Sequence, residues 1–159
     1  MKVDLNGGGS LRINAFDENI IRVQVNLNSK EWIEFPSPLY ITERKKIEFK
    51  TKKIKILVNV DPLHLEFVDL NDGKTFVKDM ENDAYITSYN NIQHTVMRRD
   101  KEGYFGLGES SGEINKIGRR LRIDAKDAFG YNPKSTDPLY KHWPYILTLT
   151  EGSFQLFFL

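Results

Sequence analysis

Apolar residues recur at every second position along most of this chain. Leu11, Ile13 and Ala15 alternate with Arg12 and Asn14, and Ile21, Val23 and Val25 alternate with Arg22, Gln24 and Asn26. Ile47 and Phe49 flank Glu48, and Ile54, Ile56, Val58 and Val60 follow with Lys53, Lys55 and Asn59 on the other phase. Leu63, Leu65 and Phe67 then alternate with His64, Glu66 and Val68. A period of two puts one face on a core and the other in water, which is the signature of a half-buried strand. Asn71-Asp72-Gly73 supplies a tight turn, because these residue types tolerate positive φ, and Thr75-Phe76-Val77 reads as the return strand of that hairpin. Ile92, His94 and Val96 make another strand; Tyr145, Leu147 and Leu149, with Thr148 and Thr150 between them, make one more. Glu151-Gly152-Ser153 turns into Phe154, Leu156 and Phe158. No segment carries a long 3.6-residue period. The expected fold is all-β, an antiparallel β-sandwich of roughly ten or more strands.

Composition narrows the function classes. With 159 residues, the chain is one domain long enough for a real core. A net charge of +1 argues against nucleic acid as main partner, since phosphate binding needs a basic excess on one face. The dense clusters Glu43-Arg44-Lys45-Lys46 and Lys50-Thr51-Lys52-Lys53 leave a nucleic-acid reading open, but their lysines alternate with Ile47, Phe49, Ile54 and Ile56. They are expected on the wet face of a hairpin, where they block edge-to-edge pairing. There is no Cys, hence no disulfide and no thiolate metal site, and no cofactor or metal is expected. Met1 is followed by Lys2, Asp4 and Gly7-Gly8-Gly9, a flexible lead-in or a turn between Leu5 and Leu11 rather than the apolar core of a signal peptide. No apolar run reaches the roughly 18 residues of a membrane span, so no membrane partner is expected. A cytoplasmic location is the expectation, taking Met1 as the natural start.

Candidate chemistry concentrates late in the chain. Tyr104-Phe105-Gly106-Leu107-Gly108-Glu109 sets two glycines around one leucine with an acid directly after, and Gly106-Leu107-Gly108 lacks the spacing of a dinucleotide loop. A long polar loop from Ser110 to Tyr145 follows, and a loop of that length inside a compact domain is functional or disordered. Its rings argue for order. Asp124, Asp127 and Asp137 offer acceptors for sugar hydroxyls; Phe129, Tyr131, Tyr140 and Trp143 offer flat apolar faces for a pyranose, which is a ring of donors around an apolar patch. The alternative is a loop folded onto its own domain, its rings a satellite core. His64 and His94 lie on expected strands with no second ligand at metal spacing, and are read as surface or satisfied strand residues; His142 sits in the cluster Tyr140-Lys141-His142-Trp143-Pro144-Tyr145, facing a ligand or packing. No Ser has a nucleophile-elbow setting.

These residues resemble glycoside hydrolase family 31, the α-glucosidase and α-xylosidase family. Tyr104 to Glu109 is similar to the Tyr-Gly-Leu-Gly-Glu stretch that ends the family's N-terminal sandwich. Arg119-Arg120-Leu121-Arg122 and Ala125-Lys126-Asp127-Ala128-Phe129-Gly130-Tyr131 are similar to an Arg-rich turn and an Asn-Thr-Asp-Ala segment. Thr136-Asp137-Pro138-Leu139-Tyr140-Lys141-His142-Trp143-Pro144-Tyr145 is similar to the strand start that follows. Ile123, Asp124, Ala125 and Lys126 depart from the family's aromatic and Asn in that region. The resemblance implies a galactose-mutarotase-like supersandwich over residues 1–159, the N-terminal domain of a larger glycosidase. It implies that the catalytic (β/α)8 barrel, with its two carboxylates, lies outside this chain. It implies no catalytic residue here and no hydrolysis by this chain alone. The implied partners are the parent's own C-terminal barrel and an α-linked oligosaccharide, with the position matched by Asp127 holding a substrate hydroxyl at the active-site mouth; Phe129, Tyr131 and Asp137 are the further substrate contacts expected from residue type.

Two other classes compete. A free-standing carbohydrate-binding module would use the same loop without a barrel. A mutarotase-like epimerase would need a His and a Glu as acid and base, for which His64, His94 and Glu109 qualify by residue type only.

Overall fold

The computed structural model describes residues 1–5, 9–27, 46–88, 91–150 and 153–158. Every regular element among them is a strand, and all strand pairs are antiparallel, as the alternation requires. The chain divides into two compact units, residues 1–97 and 98–159.

In the first unit, β1 (Lys2–Asp4), β2 (Ser10–Ala15) and β3 (Ile21–Asn26) form one sheet; β4 (Lys46–Lys50), β5 (Ile54–Val60), β6 (Leu63–Asp69) and β7 (Thr75–Lys78) form a second, each in chain order. A short hairpin, β8 (Tyr85–Ser88) and β9 (Asn91–His94), follows. The registers stack apolar partners on one face: Val3 opposite Leu11, Ile13 opposite Val23, Ile47 opposite Val58, and Val58 opposite Leu65. These faces meet in one cluster, where Met1, Val3, Leu5, Leu11 and Ile13 of the first sheet pack on Ile47, Ile56, Val58 and Leu65 of the second. That is the sandwich core. Each fully buried Leu or Ile in it contributes about 1.5–3 kcal/mol.

The Asn71-Asp72-Gly73 turn forms as expected. Gly73 takes φ +72°, Asp69 and Lys74 close the hairpin by a 2.9 Å backbone bond, and Asp72 Oδ1 accepts the Lys74 N–H at 2.9 Å. Lys50 pairs with Glu48 at 2.8 Å on the exposed face of β4, the wet face the alternation predicts, and Lys52 in the β4–β5 turn pairs with Glu18 at 3.0 Å. The Gly7-Gly8 lead-in, the Glu43-Arg44-Lys45 cluster and the Glu151-Gly152 turn lie outside the described residues.

Several side chains depart from the simple alternation. Val68, placed on the polar phase with His64 and Glu66, is buried, because the ladder to β7 shifts register between Phe67 and Val68. Ile92 and Val96 are exposed rather than facing a core. In the second unit, β10 (Gly103–Gly106), β11 (Tyr145–Thr150) and β12 (Ser153–Phe158) form a sheet in which Thr148 is buried while Tyr145 and Leu149 are exposed. The hydroxyl is tolerated inside because it donates to Gln155 Oε1 at 2.9 Å.

Candidate functional site

The second unit builds its loop from the end of β10. Gly106, Leu107 and Gly108 take φ values of +103°, +65° and +79° in succession. Left-handed backbone is costly for a leucine, and the neighbouring chain holds it there. Leu107 N–H donates to Tyr145 O and Glu109 N–H to Lys141 O, both at 2.8 Å. Between them Gly108 presses on the opposite backbone: a Cβ there would come within 2.7 Å of His142 Cα and 2.8 Å of Trp143 N. The glycines of the motif are therefore a close-packing device at the root of the loop, and they leave Glu109 exposed just beyond it.

Beyond the root, the loop is cross-braced rather than disordered. Gly112 N–H donates to Pro133 O at 2.7 Å, Ser111 Oγ to Thr136 O at 2.6 Å, and the Arg119 guanidinium to Ser111 O. Asn132 Oδ1 accepts the Lys134 N–H at 2.9 Å while Asn132 N–H reaches Thr136 Oγ1, also at 2.9 Å. Lys126 N–H donates to Leu139 O at 3.1 Å, which lays the Asp127 segment beside Leu139. Ala128 to Tyr131 close a β-turn at 3.0 Å with Gly130 at φ +71° in the third position, the geometry that requires a glycine.

The four residues expected to contact sugar differ in their surroundings. Asp127 is exposed and bonded to no described residue. Phe129, at the tip of the turn, is 97% exposed. Tyr131 is half exposed and packs edge-on against Tyr140, centroids 6.4 Å apart at 82°. Asp137 is drawn partly inward, its Oδ2 accepting the Arg122 N–H at 2.8 Å, so it braces the loop with one oxygen. Residues 127–131 thus carry a carboxylate bonded to no described residue, an exposed aromatic ring and a second ring packed against Tyr140. Trp143 adds another ring, 61% exposed, beside the root. His142 buries its Nδ1 with no hydrogen-bond partner among the described residues.

The other histidines are engaged in the first unit. His64 Nδ1 lies 2.9 Å from Pro62 O. His94 Nε2 lies 2.8 Å from Oδ1 of the buried Asp79, and its ring stacks on Tyr85 at 4.4 Å. Oδ2 of Asp79 accepts the Leu65 N–H at 2.9 Å, so this carboxylate ties β6 to the β8–β9 hairpin. Burial, followed by the Asp79 charge, pushes the Tyr85 hydroxyl far above the ordinary tyrosine range.

One polar cluster of the second unit was not legible in the sequence. Glu102, 6% exposed, accepts the Arg99 N–H at 3.0 Å, the Arg99 guanidinium at 2.6 and 3.1 Å, and the Tyr104 hydroxyl at 2.8 Å. Arg99 reaches on to Gln155, which also takes the Thr148 hydroxyl. Burial works against the Glu102 charge, but the Arg99 and Tyr104 bonds prevail and hold its carboxyl below the usual range. Tyr104 is pushed up to about 12, by burial first and Glu102 second.

Comparison with known proteins fits this architecture. The chain is 23% identical over 156 residues to Alpha-glucosidase 2 of Bacillus thermoamyloliquefaciens, covering 91% of this chain and 20% of that enzyme. A glucose complex of the Flavobacterium johnsoniae GH31 dextranase superposes with a TM-score of 0.76 at 19% identity, covering 90% of this chain and 19% of the dextranase. The Xanthomonas citri GH31 alpha-xylosidase gives 0.60 at 18% identity, covering 93% of this chain and 17% of that enzyme. Identities this low establish a shared fold, and the chain spans about a fifth of the length of these relatives. The family model for the glycosyl hydrolase 31 N-terminal galactose mutarotase-like domain matches residues 10–159, and the chain belongs to that family.

Proposed function

We propose that residues 1–159 form the N-terminal domain of a longer retaining α-glycosidase, pack on its catalytic barrel and lend the loop from Ser110 to Tyr145 to the mouth of its active site. The observation that carries this reading is the tip of the loop. Asp127 keeps a free carboxylate two residues from a fully exposed Phe129, on a turn braced from both sides. An exposed aromatic ring offers a flat apolar face to a partner. A carboxylate beside it accepts hydroxyl hydrogen bonds while the ring takes the apolar face of a pyranose. Asp127 is assigned the hydroxyl, Phe129 and Tyr131 the ring faces, and Asp137 the bracing of the loop through Arg122. The substrate class is an α-linked oligosaccharide.

The test is Asp127→Ala in the full-length parent. One charged hydrogen bond contributes about 1.5–3 kcal/mol, so kcat/KM on an α-glucoside falls about ten- to a hundredfold with turnover retained. Unchanged kinetics sink the assignment. The carbohydrate-binding module remains the second reading, favoured by the same free Asp127 and Phe129, and sugar affinity of this chain without any longer parent would support it.

A further inference from the structure

Phe129 and Tyr131 both offer a ring to solvent, but the two rings are held differently. Phe129 is 97% exposed. Tyr131 meets Tyr140 in a T-shaped contact, centroids 6.4 Å apart, within the range over which aromatic pairs attract. Tyr140 follows Leu139, which is buried and anchors this stretch of the loop. The Leu139 carbonyl accepts the Lys126 N–H at 3.1 Å, and the Asp137 carboxylate accepts the Arg122 N–H at 2.8 Å. Residues 137–140 therefore fasten the segment 122–131 by three different means: a carboxylate oxygen to Arg122, a backbone oxygen to Lys126 and a ring to Tyr131.

These fastenings act on different parts of the segment. The bonds to Arg122 and Lys126 grip backbone ahead of Asp127 and touch no ring. The turn bond from Tyr131 N–H to Ala128 O, at 3.0 Å, fixes the backbone of Tyr131 and not its side chain. Among the described residues, the aromatic contact on the Tyr131 ring comes from Tyr140. A ring whose rotamer is already restricted gives up less freedom when a sugar covers its face.

We propose that Tyr140 is a positioning residue: it fixes the Tyr131 ring against which a sugar unit stacks, and so sets how tightly the loop binds substrate, without touching the substrate itself. This rests on the proposed function, in which the loop borders the active-site mouth and Tyr131 supplies a ring face.

The experiment is steady-state kinetics of the full-length parent on maltose and isomaltose, taking whichever it cleaves faster. Tyr140→Ala is expected to raise KM about two- to tenfold, the worth of one aromatic pair, with kcat kept, because a face that binds ground state and transition state alike acts on KM. Tyr140→Phe, the conservative variant that keeps the ring, is expected to rescue the low KM. Tyr131→Ala is expected to raise KM at least as far, and Tyr140→Ala to add nothing in that background, whereas the effects of Tyr140→Ala and Asp127→Ala multiply. Should Tyr140→Ala fail to fold, Tyr140→Leu, which keeps apolar bulk without a ring, carries the same expectation. A further rise in KM from Tyr140→Ala on top of Tyr131→Ala overturns the inference, since Tyr140 then acts on its own. Disappearance of the Asp127→Ala effect in the Tyr140→Ala background overturns it too, since the loop has then collapsed as a whole. So does an effect of Tyr131→Ala with none of Tyr140→Ala, which leaves the proposed function standing. No effect of either Tyr131→Ala or Asp127→Ala overturns the proposed function, and the inference falls with it.

Discussion

Glu102 is a carboxylate with almost no access to water, and its neighbours decide its charge. Desolvation favours the neutral acid, yet three bonds from Arg99 and one from Tyr104 reward the anion more, and the pKa moves down. The sign of the stability effect follows directly. A folded pKa below the unfolded value of about 4.3 means stability that is present above that pH and lost as the pH falls through it and below. Glu102→Gln is therefore expected to lower stability at neutral pH by about 2–3 kcal/mol, the worth of a charged hydrogen bond, and to flatten the loss of stability in acid. Thermal melts of both proteins from pH 7 down to pH 3 check this. Parallel curves would mean that Glu102 is not the titrating group. Sequence reading passed over this residue for a physical reason. Arg99 and Glu102 look like any solvated pair three apart, and only the fold reveals that Thr148 and Gln155 of the β11–β12 hairpin complete a buried network around them.

At the scale of the element, the root of the loop and its tip use glycine differently. Gly108 and Gly130 both take positive φ, but a Cβ on Gly108 would meet backbone atoms of Lys141, His142 and Trp143 at 2.7–2.9 Å, while one on Gly130 would meet open space. Gly130→Ala should cost about 1–2 kcal/mol, the left-handed penalty alone. Gly108→Ala adds the displacement of packed backbone and should cost roughly 2–5 kcal/mol. Chemical denaturation of the two variants distinguishes these outcomes, and equal losses would show that the root can open without strain. The motif and its order along the chain were legible, because left-handed turns select glycine. The strands of the first unit were legible for a similar reason: Leu11, Ile13, Ile56, Val58 and Leu65 keep a strict period of two, and each is fully buried. Leu65→Ala should accordingly cost about 2–5 kcal/mol in the same measurement. Val68 and Thr148 were not legible, since a bulge and a hydroxyl with a buried partner both break the link between polarity and face. The loop was singled out as a candidate site by its residue types alone. The split between Asp127, which stays free, and Asp137, which braces Arg122, needed the fold.

For the molecule as a whole, the distribution of charge bears on where hydrolysis takes place. Cleavage of a glycosidic bond calls for two carboxyl groups flanking it, one of them kept protonated near neutral pH by a raised pKa. Among the described residues, the carboxyls that clearly depart from ordinary values all move the other way. Glu48 and Glu81 are lowered by lysine partners, and Glu102 is held down by Arg99 and Tyr104. Asp127 is exposed at the surface. None of these shifted carboxyls is raised in the way a general acid requires. The 159-residue chain alone is expected to release no glucose from maltose, isomaltose or a chromogenic α-glucoside under conditions in which the full-length parent turns them over. A glucose-release assay run on both proteins at equal molarity decides the matter. Activity in the short chain that survives repurification and disappears in Asp127→Ala would place chemistry in the loop and overturn the division of labour proposed for this family member.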